Sequence, residues 1–241
     1  MIAVVLGVVG AGVAGAAALR ARALVATRPS VAHDPLVAWH RGVAYAGAVV
    51  VVASLTGTTT WMLEAAWVPE SDAGTSSGVG LVVVVALLYG SIWARGTDGF
   101  GRAPASAWSV AFGVLWGAAA GGVVLIAWHA AGWVATGLAR VGVAFLVASA
   151  WQGVWHDRYW DQRVSPEHNL PRWNAIKVLA VHTPNLALSL LYLERDDALL
   201  PVVAAQVVAI VVSAVAMRFP APLAPVVPSV PSPSPTSESS R

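Results

Sequence analysis

Long apolar segments dominate this chain and limit how it can fold. A helix of about 20 apolar residues is long enough to cross the hydrocarbon core of a bilayer, and several segments reach that length. Of the 241 residues, 57% are hydrophobic and only 11% are charged, whereas about 25% are charged in an ordinary soluble domain. So few charges cannot cover a soluble surface. The sequence therefore predicts an all-α, polytopic membrane helix bundle.

The apolar segments predict about seven transmembrane helices. Arg20 and Arg22 follow the first segment and no basic residue precedes it, which favours a retained span over a cleaved signal peptide. The predicted spans are residues 1–19, 43–64, 79–95, 107–128, 134–155, 174–193 and 199–217.

The basic residues predict the orientation, because lysine and arginine concentrate on the cytoplasmic side of a membrane protein. With the N-terminus outside and the C-terminus cytoplasmic, only Arg140 and Arg195 lie outside. The other basic residues then lie inside: Arg20, Arg22, Arg28, Arg41, Arg95, Arg102, Arg158, Arg163, Arg172, Lys177, Arg218 and Arg241. This asymmetry predicts a multi-pass protein of the cell membrane.

The composition excludes several classes of site and partner. The chain has no cysteine, which excludes disulfides, thiolate metal sites and cysteine nucleophiles. Its pI is about 9.4 but its net charge is only +2, and membrane orientation explains the basic residues, so we predict no nucleic-acid partner. Residues 219–241 contain seven prolines and a serine-rich end, which predicts a disordered cytoplasmic tail after a transmembrane domain at 1–218.

A polar island, "HDRYWDQRVSPEHN", follows the fifth span at residues 156–169. Asp157 and Asp161 stand four residues apart, and such carboxylates can hold Mg²⁺ against a diphosphate. Alternatively, His156, His168 and the acids, Glu167 included, can bind a transition metal. A third interpretation is a capped, salt-bridged loop on the cytoplasmic side without a ligand.

The polar residues of the sixth span fall on one side of a helix when plotted at 100° per residue. Because polar groups facing lipid are costly, this stripe is expected to face the bundle interior. His182 lies near the middle of the span, where a histidine either makes a hydrogen bond between helices, transfers a proton or binds a ligand. Pro184 is expected to kink the helix. The stripe comprises Asn174, Lys177, His182, Asn185, Ser189 and Tyr192.

Two charged residues lie near the predicted outer surface. Glu64 ends the second span, and it is the best counter-ion for Arg140 if the fifth span begins near residue 134. If that span begins at 141, Arg140 reaches the interface by itself. Gln206, alone in the last span, predicts a hydrogen bond between helices.

The motif "WMLEAAWVP", with Trp61, Glu64 and Trp67, resembles the Trp-Glu pair of the integral membrane terpene cyclases of fungal meroterpenoid pathways. Gln152, and Trp173 with Lys177, fall roughly where that family has a Gln and a Trp followed by a basic residue. The resemblance implies a seven-span fold and acid-initiated cyclisation of a prenyl chain, an isomerase or lyase reaction. The last span departs from the family, because it offers Gln206 where the family has an acid.

These features lead to one functional hypothesis and two alternatives. The hypothesis is a membrane enzyme that acts on a prenyl or other membrane lipid, with site residues toward the cytoplasm and Mg²⁺ as the candidate cofactor. The alternatives are a small transporter with a polar path along the sixth helix, and a non-catalytic membrane subunit that docks a partner. The candidate catalytic residues are Glu64, Asp157, Asp161, Glu167, His168 and His182; the candidate substrate-binding residues are Asn174, Lys177, Asn185 and Arg140; the candidate metal ligands are Asp157 and Asp161.

Overall fold

The described chain of the computed structural model consists of helices joined by short turns and loops, with one short strand pair. It describes residues 2–27, 31–94, 106–160, 176–224 and 227–228, with side chains at 2–27, 34–94, 107–153 and 176–224. The helices are α1 Ile2–Thr27, α2 Pro35–Leu55, α3 Thr58–Glu64, α4 Asp72–Leu88, α5 Ser106–Ala131, α6 Gly137–Trp160, α7 Thr183–Asp196 and α8 Leu199–Ala216. π-Helical turns at Tyr89–Trp93 and Val178–His182 extend α4 and precede α7.

Five helices are long and apolar enough to cross a membrane, and this confirms the prediction of a helical membrane protein. They lie at Ile2–Thr27, Pro35–Leu55, Asp72–Trp93, Ala107–Ala131 and Leu199–Ala216. The other two predicted spans correspond to α6 and to the segment that contains α7. The count of seven spans and the sidedness of the termini stay predictions.

The second predicted span, 43–64, has the wrong limits. Helix α2 begins at Pro35, where the Asp34 side chain accepts hydrogen bonds from the backbone N–H groups of Leu36 and Val37. It ends at Leu55, and Gly57 then takes a left-handed conformation with φ of 72°. Glu64 therefore ends the separate short helix α3, and it is exposed.

Glycines allow the closest helix contacts, as expected where van der Waals packing and small residues drive helix association in a membrane. Gly113, Gly117 and Gly121 lie one turn apart on α5 and face Val211, Val207 and Val203 of α8. A Cβ atom on Gly117 would lie 2.5 Å from the Cα of Val207, so these backbones touch directly. Helix α1 packs on α2 in the same way, with Gly47 against Gly10 and Ala14.

The packed domain continues past Arg218, where the sequence places the start of the tail. Phe219 is buried and stacks on Phe112 at a centroid distance of 3.7 Å. Its carbonyl accepts a hydrogen bond from Ser109, and the carbonyl of Pro220 accepts one from Trp39. Beyond Pro220, the strand β2 Val227–Pro228 forms a short antiparallel pair with β1 Val31–His33, which precedes α2. Residues 225–226 and 229–241 lie outside the described chain.

We predict that Gly117→Ala destabilises the bundle by about 1–3 kcal/mol, because the added methyl group forces α5 and α8 apart. Unfolding of the purified protein in detergent measures the effect. Gly80→Ala is the matched control, since a Cβ atom there meets nothing within 4 Å. Equal stability of the two variants would contradict the close α5–α8 contact.

Candidate functional site in the bundle interior

Two π-helical turns lie beside each other near one end of the bundle. In the second, the N–H of Thr183 donates to the carbonyl of Val178, five residues back, and Pro184 follows at once. Proline has no N–H and its ring crowds the carbonyl four residues earlier, so the widened turn is where the chain accommodates Pro184. The helix distortion expected at Pro184 therefore takes the form of a π-turn, and π-turns are frequent at functional sites.

The widened turns bring Tyr89 and His182 together. The Tyr89 hydroxyl lies 2.7 Å from Nδ1 of His182, and the two rings meet edge to face at a centroid distance of 5.5 Å. Tyr89 is buried and His182 is half-buried. This is a short hydrogen bond between two groups that can each exchange a proton, within an apolar bundle.

A closed amide pair lies next to Tyr89, toward the middle of the bundle. Asn185 and Gln206 exchange two hydrogen bonds, each of 3.1 Å. The second N–H of Asn185 points to the Tyr89 hydroxyl at 3.4 Å, and the second N–H of Gln206 points to the Ser189 hydroxyl at 3.1 Å. All four amide hydrogens of the pair are thus directed at acceptors. The prediction that Gln206 bonds between helices is confirmed.

Lys177 lies on the other side of the Tyr89–His182 pair. Its ammonium group stands 4.6 Å from the ring centroid of Trp93, within the range of a cation–π contact. Trp93 ends the first π-helical turn, and Lys177 directly precedes the second. The Lys177 ammonium group and the Trp93 ring therefore lie next to the Tyr89–His182 pair, on the side predicted to face the cytoplasm.

The polar stripe continues beyond the amide pair to the opposite end of α7. Tyr192 donates to the carbonyl of Gly74 at 3.3 Å, and Ser77 donates to Asp196 at 2.9 Å. The stripe thus faces the bundle interior, as its spacing predicts, and its contacts are with α4 and α8. It comprises His182, Asn185, Ser189 and Tyr192. The uncharged amide pair separates the imidazole end of the stripe from its carboxylate end.

Arg140 contacts α5 rather than Glu64. Because α6 begins at Gly137, Arg140 lies in its first turn, and its guanidinium stacks 3.7 Å from the ring centroid of Trp128. Its Nε donates to the Trp128 carbonyl at 3.2 Å, which caps the C-terminal end of α5. Glu64 and Arg140 are both described and form no ion pair, so the expectation of Glu64 as counter-ion is wrong. The carboxylates that attract the Arg140 guanidinium electrostatically are those of Asp197 and Glu194.

For the remaining candidate residues the structure describes no side chain. Asp161, Glu167, His168 and Asn174 lie outside the described residues, and for Asp157 the structure describes the backbone within α6 and not the side chain. Their catalytic and Mg²⁺-binding roles stay predictions. Within the described ranges, no three His, Cys, Asp or Glu side chains form a group that could hold a metal ion.

Sequence reasoning missed Tyr89, which is central to the site. Its signal was a tyrosine within the apolar run "LVVVVALLYGSIW", one turn before Trp93. That pattern is more often ordinary packing, and only the contact with His182 distinguishes it. No family model, no curated protein and no solved structure matches this chain.

We predict that Gln206→Leu and Asn185→Leu each destabilise the protein by about 1–2 kcal/mol, because each leaves the other buried amide without its partner. The double variant should lose less than the sum of the two, since no orphaned amide remains. Denaturant unfolding in detergent measures this cycle. Strictly additive losses would show that the two amides do not interact.

Proposed function

We propose that this protein is a membrane-embedded enzyme that performs acid–base chemistry on a lipid-soluble substrate at Tyr89 and His182. The supporting observation is the 2.7 Å contact between these two side chains, made where two helices widen into π-turns. General acid–base catalysis requires a positioned group whose proton can move, and histidine is the side chain most often used.

The surroundings support a lipid or prenyl substrate. The five apolar helices expose many large aliphatic side chains, among them Val79, Val83 and Leu87 on α4, so a hydrophobic substrate already dissolved in the bilayer can reach the helices that carry the site. Lys177 against Trp93 supplies a cation for a polar head group. Aromatic rings can also stabilise a cationic intermediate by cation–π attraction.

Acid-initiated cyclisation of a prenyl chain is the reaction that the resemblance implies, and we propose it as the specific form. In that reaction a donor protonates the prenyl chain and a base later removes a proton. His182 and Tyr89 are the buried candidates for those roles. Asp157 lies within α6, and Asp161, Glu167 and His168 come after it in the sequence. All four remain candidates for a cytoplasmic part of the site. Glu64 and Arg140 lie with α3 and the start of α6, away from the π-turns.

The closed amide pair favours an enzyme over a proton-linked transporter. A path across the membrane would need groups that exchange protons along its whole length, and proton pathways tend to use Asp, Glu and His. Asn185 and Gln206 do not titrate, and their mutual hydrogen bonds interrupt the stripe beyond Tyr89. Proton exchange at His182 is therefore expected from one side alone.

We predict that His182→Gln and Tyr89→Phe each lower turnover by about 10²–10⁴-fold, the usual contribution of general acid–base catalysis. Membranes containing the full chain are incubated with linear prenyl alcohols, diphosphates and prenylated phenols. Products are then measured by mass spectrometry, with untargeted lipid profiling of the expressing cells alongside.

Ser213→Ala is the control, because the Ser213 hydroxyl bonds only its own helix at the Ala209 carbonyl. Protein level and unfolding midpoint are measured for each variant. Lipid products that persist unchanged in both site variants would contradict the assignment of Tyr89 and His182. Substrate flux in proteoliposomes without chemical change would instead identify a transporter.

A further inference from the structure

The amide pair determines which groups donate and which accept in the hydrogen-bond network around Tyr89. The side-chain nitrogen of Asn185 can only donate, and its two hydrogens point to Oε1 of Gln206 and to the Tyr89 hydroxyl. Gln206 is held in the matching orientation, because its own nitrogen donates to Oδ1 of Asn185 and to Ser189. Tyr89 thus accepts a hydrogen bond from Asn185.

A phenol hydroxyl has one hydrogen, and the network leaves His182 as its acceptor. The amide nitrogen of Asn185 cannot accept, so of the two partners of the hydroxyl only Nδ1 of His182, at 2.7 Å, can take the hydrogen of Tyr89. In a neutral imidazole, one nitrogen accepts and the other carries the hydrogen. The hydrogen of the neutral His182 ring therefore lies on Nε2.

The two distances favour this arrangement over its reverse. If both amides were turned around, Tyr89 would donate to Asn185 across 3.4 Å, and Nδ1 of His182 would donate to Tyr89. Hydroxyl donors make bonds of about 2.5–3.0 Å, whereas N–H donors reach about 3.2 Å. The 2.7 Å contact matches a hydroxyl donor, and the 3.4 Å contact exceeds the N–H range by less than it exceeds the hydroxyl range. Both comparisons favour Tyr89 as donor to His182 and Asn185 as donor to Tyr89.

We propose that Asn185, held by Gln206, is a positioning residue that sets His182 in the Nε2–H tautomer through the Tyr89 hydroxyl. The tautomer follows from the network alone. Its use, in which the Nε2–H group donates a hydrogen bond to the substrate while Nδ1 accepts one from Tyr89, rests on the proposed function. Asn185 and Gln206 act through Tyr89 and do not themselves exchange protons.

The test is ¹⁵N NMR of the full chain in lipid nanodiscs, with histidine side chains labelled and the His182 signals identified by their loss in His182→Gln. We expect His182 of the unaltered protein to show an unprotonated Nδ1 and a protonated Nε2. The Nε2–H form should exceed the Nδ1–H form by about tenfold, since one hydrogen bond of ordinary strength favours it.

Asn185→Leu removes the donor to Tyr89, so the tautomer ratio of His182 should fall toward unity. Gln206→Leu leaves Asn185 in place but frees its amide, and it should move the ratio in the same direction by less. Ser213→Ala, on the same helix as Gln206, should leave the ratio unchanged. If either leucine variant does not fold, the His182 signals of the unaltered protein still test the proposal, because they show which nitrogen carries the hydrogen.

Two results would overturn the proposal: a dominant Nδ1–H form in the unaltered protein, or an unchanged ratio in a folded Asn185→Leu variant. Both results can be distinguished from a failure of the proposed function. If only the proposed function failed, the tautomer would be as expected, while His182→Gln would leave the lipid products unaffected.

Discussion

The absence of water in the bilayer core is the constraint on which the interior of this bundle depends. A polar side chain there has no solvent to bond, so it must find a partner within the protein. Asn185 and Gln206 meet this demand for each other with two hydrogen bonds, and their remaining hydrogens order Ser189 and Tyr89. The orientation of His182 follows from that pair. A network that first satisfies buried groups thereby also positions the imidazole of His182, which ends the π-turn before α7.

The π-turns show how a local rule of the backbone shapes this site. Pro184 cannot donate to the carbonyl four residues back, and the helix widens just before it. The facing helix widens as well, at Tyr89–Trp93, so the two irregular turns lie against each other. Both carry the side chains of the site, with Tyr89 and Trp93 on one and His182 on the other. Widened turns in two regular, well-packed helices are energetically unfavourable unless the surrounding contacts hold them, and here the Tyr89–His182 bond joins them directly.

Local patterns predicted what depends on one helix, and failed where the partner lies on another. The stripe from His182 to Tyr192 was readable, because lipid excludes polar groups and the spacing puts them on one face. The end of α2 was not, since nothing in "SLTGTTTWMLE" outweighs the apolar pattern until Gly57 adopts its left-handed conformation. Arg140 was paired with Glu64 because both lie near predicted span ends. In the structure, α6 begins late enough for the guanidinium to reach the Trp128 carbonyl instead. Tyr89 could be recognised as a site residue only from its contact with His182, because a tyrosine in an apolar run usually serves packing alone.

The two ends of α7 differ chemically, and the difference supports a site that works from one side. Toward the predicted cytoplasm lie Lys177 and His182, which can carry or exchange protons. Toward the other end, Tyr192 and Asp196 are engaged with the first turns of α4, where they tie the helix ends together. Between them stand two amides that neither ionise nor have a hydrogen to pass on, because each donor already has its acceptor. Under the proposed function, a proton taken up at His182 is returned only to a substrate or to the side from which it came. Such an arrangement favours the chemical conversion of a bound lipid over the movement of a proton across the membrane.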